Sequence, residues 1–244
     1  MIDLIFLVAS IIAVLFVFVP HEAAHAFAAY KSGDATAKMY GRLTLNPLKH
    51  IEPVGIVLCI FTGFGWAKPV PINPYNFKKY RTGLFLTAVA GVIANYIIAF
   101  IAYPLYLVIA KYAIASIEYG SALYYFIYFF ESVFQLTFLY SISIFVFNLL
   151  PLYPLDGFRI IESFTREINP VRRFLKNYGY YILIILVVES FLCDILIRYT
   201  SLPYVGYFDI LGYVQWFAKN IIGFPITALW NAIFGVPIIW PVAY

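Results

Sequence analysis

From Ile2 to Pro20 the chain is apolar, with Asp3 as its single charge. A spanning helix needs about 20 apolar residues, and this run, continuing to about residue 30, supplies them. Further stretches of that kind fall near 83–110, 122–150 and 177–199, with a weaker one near 221–241. With 64% hydrophobic and only 11% charged residues, the chain carries more apolar surface than a soluble core absorbs; soluble domains hold about 25% charge. The expected fold class is an all-α polytopic membrane protein, a transmembrane helical bundle of about five to six spans. Residues 1–244 are expected to form one domain, because no segment is polar enough for an independent soluble unit. The first run lacks a basic leader and passes straight into a polar helix end, so a cleavable signal is not expected.

Residues 51–64 are apolar but too short to cross comfortably as a helix. Gly63–Pro74 (GFGWAKPVPINP) is too rich in Gly and Pro to be one. A short re-entrant or β-hairpin segment near 51–74 is expected instead, tolerated at membrane depth only against protein or water. Charge placement favours it. If 51–64 dips in and returns, segments 31–82 and 151–176 share one side and carry thirteen of the sixteen Lys and Arg residues. By the positive-inside rule that side is cytoplasmic, so the net charge of +4 reports topology rather than an acidic partner. The expectation is a multi-pass protein of the cell membrane, surrounded by lipid bilayer and without a nucleic-acid partner. Residues 204–218, aromatic and Pro-broken, suit the membrane interface. Cys59 and Cys193 lie in separate apolar stretches and read as buried thiols.

The first apolar run ends on His21-Glu22-Ala23-Ala24-His25, which holds two of the chain's three histidines. Residues i and i+4 share a helix face, so both imidazoles can grip one metal ion. Glu22 stands beside them, placed to take a proton from a water that the metal polarises. The bland alternative is a pair of histidines capping an apolar helix near the surface, with Glu22 solvated. Charge inside a membrane is expensive and favours the functional reading.

A catalytic zinc needs a third protein ligand and an open position. The remaining candidates are Glu118, Glu131, Asp156, Glu162, Glu189, Asp194 and His50. Spans one and four run in the same direction, so their C-terminal ends meet on the basic side, where Asp156 follows span four in Asn148-Leu-Leu-Pro-Leu-Tyr-Pro-Leu-Asp-Gly157. Pro151 and Pro154 free backbone there and imply a wet, protein-lined pocket. Asp156 can therefore approach His21 and His25 at matching depth. Glu118 belongs near the opposite surface, Glu131 in the outer half of its span, Glu162 in a solvated charged loop, and His50 in a surface loop.

HEAAH on a membrane helix, followed more than a hundred residues later by NLLPLYPLDG, resembles the site-2 protease family of intramembrane zinc metalloproteases. GRLTLNPLKHIEPVG and GWAKPVPINPYNF are similar to its compact prokaryotic branch, which lacks PDZ and CBS domains. The similarity covers roughly residues 10–165. It implies a transmembrane bundle with a three-helix catalytic core at about 1–165, and additional C-terminal membrane segments at 177–244. It implies His21, His25 and Asp156 as ligands of one Zn2+ per chain and Glu22 as general base. The implied substrate is a membrane protein with a transmembrane helix, cut from an active site toward the cytoplasmic side. Two positions depart from the family pattern. Val92 stands where A-G-P-x-x-N has Pro, and Phe158 replaces the second Gly of L-D-G-G-R.

Asn95 and Asn148 remain to be placed. Each could make an interhelical hydrogen bond or bind the substrate backbone and developing oxyanion, and the resemblance implies a substrate role, more so for Asn148. An extended edge at 63–74 could pair with an unwound substrate strand. Two rival functions stay open: a transporter or channel using Glu131, Glu189 and Asp194, and a zinc-binding membrane protein without catalysis.

Overall fold

Inside a bilayer the backbone has no water to bond, so apolar segments satisfy their N–H and C=O groups within themselves as helices. The computed structural model describes residues 2–55, 67–200 and 203–237, and among these every regular element is helical. The main helices are α1 (Ile2–Ser32), α2 (Tyr80–Val108), α3 (Ala122–Leu149), α4 (Asp156–Phe164), α5 (Pro170–Thr200), α6 (Ile210–Phe217) and α7 (Phe224–Phe234). A π-helical turn, Ile109–Ala113, prolongs α2. Polar caps fix several boundaries. The Ser121 hydroxyl accepts from Tyr124 N to open α3, and Asp209 accepts from Gly212 N at 2.8 Å to open α6.

Among the described residues, four helices are long and apolar enough to cross a membrane: Leu4–Ser32, Tyr80–Ala113, Ala122–Leu149 and Pro170–Ile197. They coincide with the four strong runs in the sequence. Of the weaker run near 221–241, residues 238–241 lie outside the described residues, and the described part contains the 11-residue α7. At 1.5 Å per residue it reaches only about 16 Å, half a bilayer core. Gly223 and Pro225 restart the chain there, and Gly235 ends it in a left-handed cap at φ 60°. Of the segment expected to re-enter or form a hairpin, residues 56–66 lie outside the described residues, and 67–73 is non-helical chain. Lys68 and Val70 each precede a proline, which holds them extended.

α1, α2 and α3 make the core. Ala9 and Ala13 of α1 meet Val133 and Leu136 of α3, small residues that let two backbones approach. Ala99, Ala102, Tyr103 and Leu107 of α2 pack on Phe138, Ile142 and Val146 of α3. Tyr103 lies on Phe138 and Tyr96 on Phe145, with ring centroids 4.7 and 5.4 Å apart, so α2 and α3 run antiparallel. The C-terminal helices are pinned to this core by polar contacts. Tyr103 donates to Asn231 Oδ1 at 3.0 Å, Trp230 donates to the Phe100 carbonyl, and Ser143 donates to Gln215. α5 stands apart: 6% of its spanning window is buried by protein, against 33% to 44% for the other three.

Candidate metal centre

α1 carries His21 and His25 one turn apart on its buried face, directly after Pro20. Their Nε2 atoms lie 3.0 Å from each other, with the rings edge to face. Asp156 completes the cluster. Its Oδ2 is 3.4 Å from His21 Nε2 and 3.1 Å from His25 Nε2. All three side chains are buried, and their ligating atoms lie within 4.8 Å of one another, an arrangement that could hold a metal ion.

Two glycines make the convergence possible. A Cβ on Gly91 of α2 would sit 2.4 Å from His25 Nε2 and 2.7 Å from His21 Cε1, so only hydrogen fits beneath the rings. A Cβ on Gly157 would sit 2.3 Å from the Leu150 carbonyl oxygen and 2.4 Å from that of Leu149. Glycine thus lets the first turn of α4 rest on the end of α3 and present Asp156 inward. Phe158, the departure beside it, is buried and meets Tyr153 edge to face at 5.7 Å.

The donor chemistry suits a cation. His25 Nδ1 is 2.7 Å from the Thr87 carbonyl, which can only accept, so Nδ1 carries the proton and Nε2 keeps its lone pair for a ligand. That lone pair faces His21 Nε2 and Asp156 Oδ2, and the latter is buried without a hydrogen-bond partner. Two imidazoles and a carboxylate with converging acceptors form a three-ligand set of the kind that holds catalytic zinc.

Glu22 is half-buried, and its Oε2 accepts from the Val70 backbone N–H at 2.8 Å. This brings residues 67–73 against the site. The expected strand-pairing edge meets an obstacle there, since Pro69 and Pro71 have no N–H to donate; residues 63–66 of that edge lie outside the described residues.

The two asparagines part company. Asn148, half-buried, sits in the last turn of α3 beside the loop that delivers Asp156. Asn95 is fully enclosed on α2, and neither of its amide atoms has a partner. His50 is also buried rather than exposed in a loop, its Nε2 2.9 Å from the Thr44 carbonyl. Glu162 is paired with Arg172 at 2.5 Å rather than left in solvent. Glu131 lies on α3, while Glu189 and Asp194 lie on α5, where Glu189 accepts from the Cys193 thiol. Among the described residues, His21, His25 and Asp156 form the one metal-capable group of three. The sequence reading missed Val70 and Thr87, which act through backbone groups and leave no side-chain signature, and it missed Arg42, described below.

The sequence profile of Peptidase family M50 matches residues 9–189. "Putative zinc metalloprotease YwhC" of Bacillus subtilis (strain 168) is 40% identical over 180 residues, spanning 73% of this chain and 79% of that protein. "Putative zinc metalloprotease Rip2" of Mycolicibacterium smegmatis (strain ATCC 700084 / mc(2)155) is 28% identical over 223 residues, spanning 88% of this chain and 77% of that protein. No solved structure matches the chain. The profile runs from α1 through most of α5 and takes in both histidines, Glu22 and Asp156, and on that match the chain belongs to Peptidase family M50.

Proposed function

We propose that this multi-pass membrane zinc metalloprotease is an endopeptidase that hydrolyses peptide bonds in or near the transmembrane helices of other membrane proteins. One observation carries the reading. Three converging acceptor atoms, from His21, His25 and Asp156, sit with Glu22 on and beside a helix long enough to span a bilayer. His21 Nε2, His25 Nε2 and Asp156 would hold a single Zn2+ per chain. When bound, zinc supplies a Lewis acid that polarises the scissile carbonyl and lowers the pKa of water to about 7.

The chain's own groups do the rest. Thr87 holds His25 in the tautomer that leaves Nε2 free. The Glu22 carboxylate accepts a proton from the attacking water and returns it to the leaving nitrogen. Asn148, in the last turn of α3, would donate its amide to the substrate backbone. Residues 1–165 form the catalytic core in this reading, and 177–244 add membrane segments around it. The concentration of Lys and Arg in 31–82 and 151–176 supports a cell-membrane protein whose site opens toward the cytoplasm.

The test joins metal content to cleavage. Purified protein should hold one zinc per chain and lose it on His21→Ala or His25→Ala. Glu22→Gln should keep the zinc while cleavage of a reporter transmembrane peptide in nanodiscs stops. A metal-free wild type, or an active Glu22→Gln variant, would refute the reading.

A further inference from the structure

Resting on the reading of Glu22 as general base, we propose that the Val70 N–H orients the Glu22 carboxylate, and that Arg42 is the positioning residue that holds Val70 in place. In extended chain, alternate residues point their backbone groups to the same side. In Lys68-Pro69-Val70-Pro71, the prolines remove the N–H groups of one edge, so the donors of Lys68 and Val70 both serve the other. Lys68 N–H donates to the His50 carbonyl at 2.9 Å, and Val70 N–H donates to Glu22 Oε2 at 2.8 Å.

The segment is anchored on both sides of Val70. Before it, the buried Arg42 guanidinium donates through Nη2 to the Lys68 carbonyl at 2.5 Å and to that of Pro69 at 3.4 Å. After it, Asn73 N–H donates to Asp34 Oδ2 at 2.7 Å. The Val70 side chain packs with Ala26, the residue following His25, and with Ala37. A donor fixed this way keeps one carboxylate oxygen engaged and leaves Oε1 to receive the proton. A flexible acid side chain is thereby held in one arrangement beside the histidines. Supporting groups of this kind commonly change rates by about 10- to 100-fold.

Substitution at Val70 separates the N–H from the side chain. In zinc-loaded full-length protein, Val70→Pro should lower kcat about 10- to 100-fold, with KM within about twofold and zinc content unchanged. Val70→Ala, which keeps the N–H, should stay within about threefold of wild type in kcat, and Arg42→Gln should resemble Val70→Pro. Equal kcat for Val70→Pro and Val70→Ala would overturn the proposal.

Amide exchange on metal-free protein gives a second readout that needs no activity. Glu22→Ala should speed exchange at Val70 by at least about tenfold and leave Lys68 unchanged, while Arg42→Gln should speed both. Wild-type exchange at Val70 in Glu22→Ala refutes the contact, and this measurement decides the matter if Val70→Pro fails to fold. An inactive wild type would instead count against the protease reading, leaving the exchange result to stand alone.

Discussion

Gly91→Ala adds a single carbon where two metal-facing rings already lie. The new Cβ would stand 2.4 Å from His25 Nε2, 2.5 Å from His25 Cε1 and 2.7 Å from His21 Cε1. Favourable contacts between heavy atoms begin near 3.5 Å, so the His25 ring has to retreat by about 1 Å. Metal–ligand distances tolerate only about 0.2 Å. The ring cannot swing freely, because Nδ1 is held by the Thr87 carbonyl. Expected losses are about 100-fold in zinc affinity, equivalent to about 2.7 kcal/mol, and about 100-fold in kcat/KM. The helix itself should not suffer, since Ala favours helix over Gly by about 1 kcal/mol. The assay pairs zinc titration against a competing chelator with cleavage of a transmembrane peptide in nanodiscs, and it follows thermal unfolding of the same samples. Gly206→Ala is the control, because a Cβ there meets only Ile197 Cδ1 at 3.4 Å. Wild-type zinc affinity and activity in Gly91→Ala would refute the geometry; an unfolded variant would show that Gly91 serves packing more widely than the site.

Three other outcomes are expected. Glu162→Gln leaves Arg172 buried without its countercharge at the α4–α5 junction, where their side chains are 18% and 7% exposed; unfolding in detergent should show a loss of about 1–3 kcal/mol. Burial alone would raise the Asp34 pKa, but hydrogen bonds from Thr36, Asn76 and Asn73 outweigh it and hold the carboxyl below its ordinary value. Its ionised form therefore stabilises the fold above about pH 4, a contribution lost as pH falls toward the folded-state pKa. Asp34→Asn should be less stable than wild type by about 1–2 kcal/mol at pH 7, with the gap closing on acidification; a gap independent of pH would contradict this. Asn95→Leu removes an enclosed amide without partners, so it should raise the unfolding midpoint by the equivalent of about 1 kcal/mol and leave cleavage unchanged. A lowered midpoint would mean that the amide is bonded after all.

Much of this architecture was legible because membrane and metal chemistry both write strong patterns. Apolar length located four spans, and the charge asymmetry placed the loop carrying Asp156 on the same side as the end of α1. Other features were hidden for physical reasons. The run near 221–241 looks like a weak span, yet in its described part a Gly-Pro restart and a left-handed Gly bound the short α7. His50 and Glu162 read as loop residues because their contacts with the Thr44 carbonyl and Arg172 form only in the folded chain. Asn95 and Asn148 are the same amino acid on core helices, and only packing reveals that one is enclosed while the other borders the site. The Val70 contact is a backbone bond across 48 positions, invisible to any reading of side chains.

His25 sits unevenly along α1. Beyond it, Ala26–Ser32 continues for about 10 Å, while the part from Leu4 to Pro20 extends about 26 Å the other way. On the proposed function, a substrate helix cut at that level is divided into unequal anchors. One product keeps most of its apolar length and remains a membrane protein. The other retains only a few apolar residues, too few to hold it against water. On that function, the place of the ligands along a single helix would decide which half of a substrate departs and which half stays.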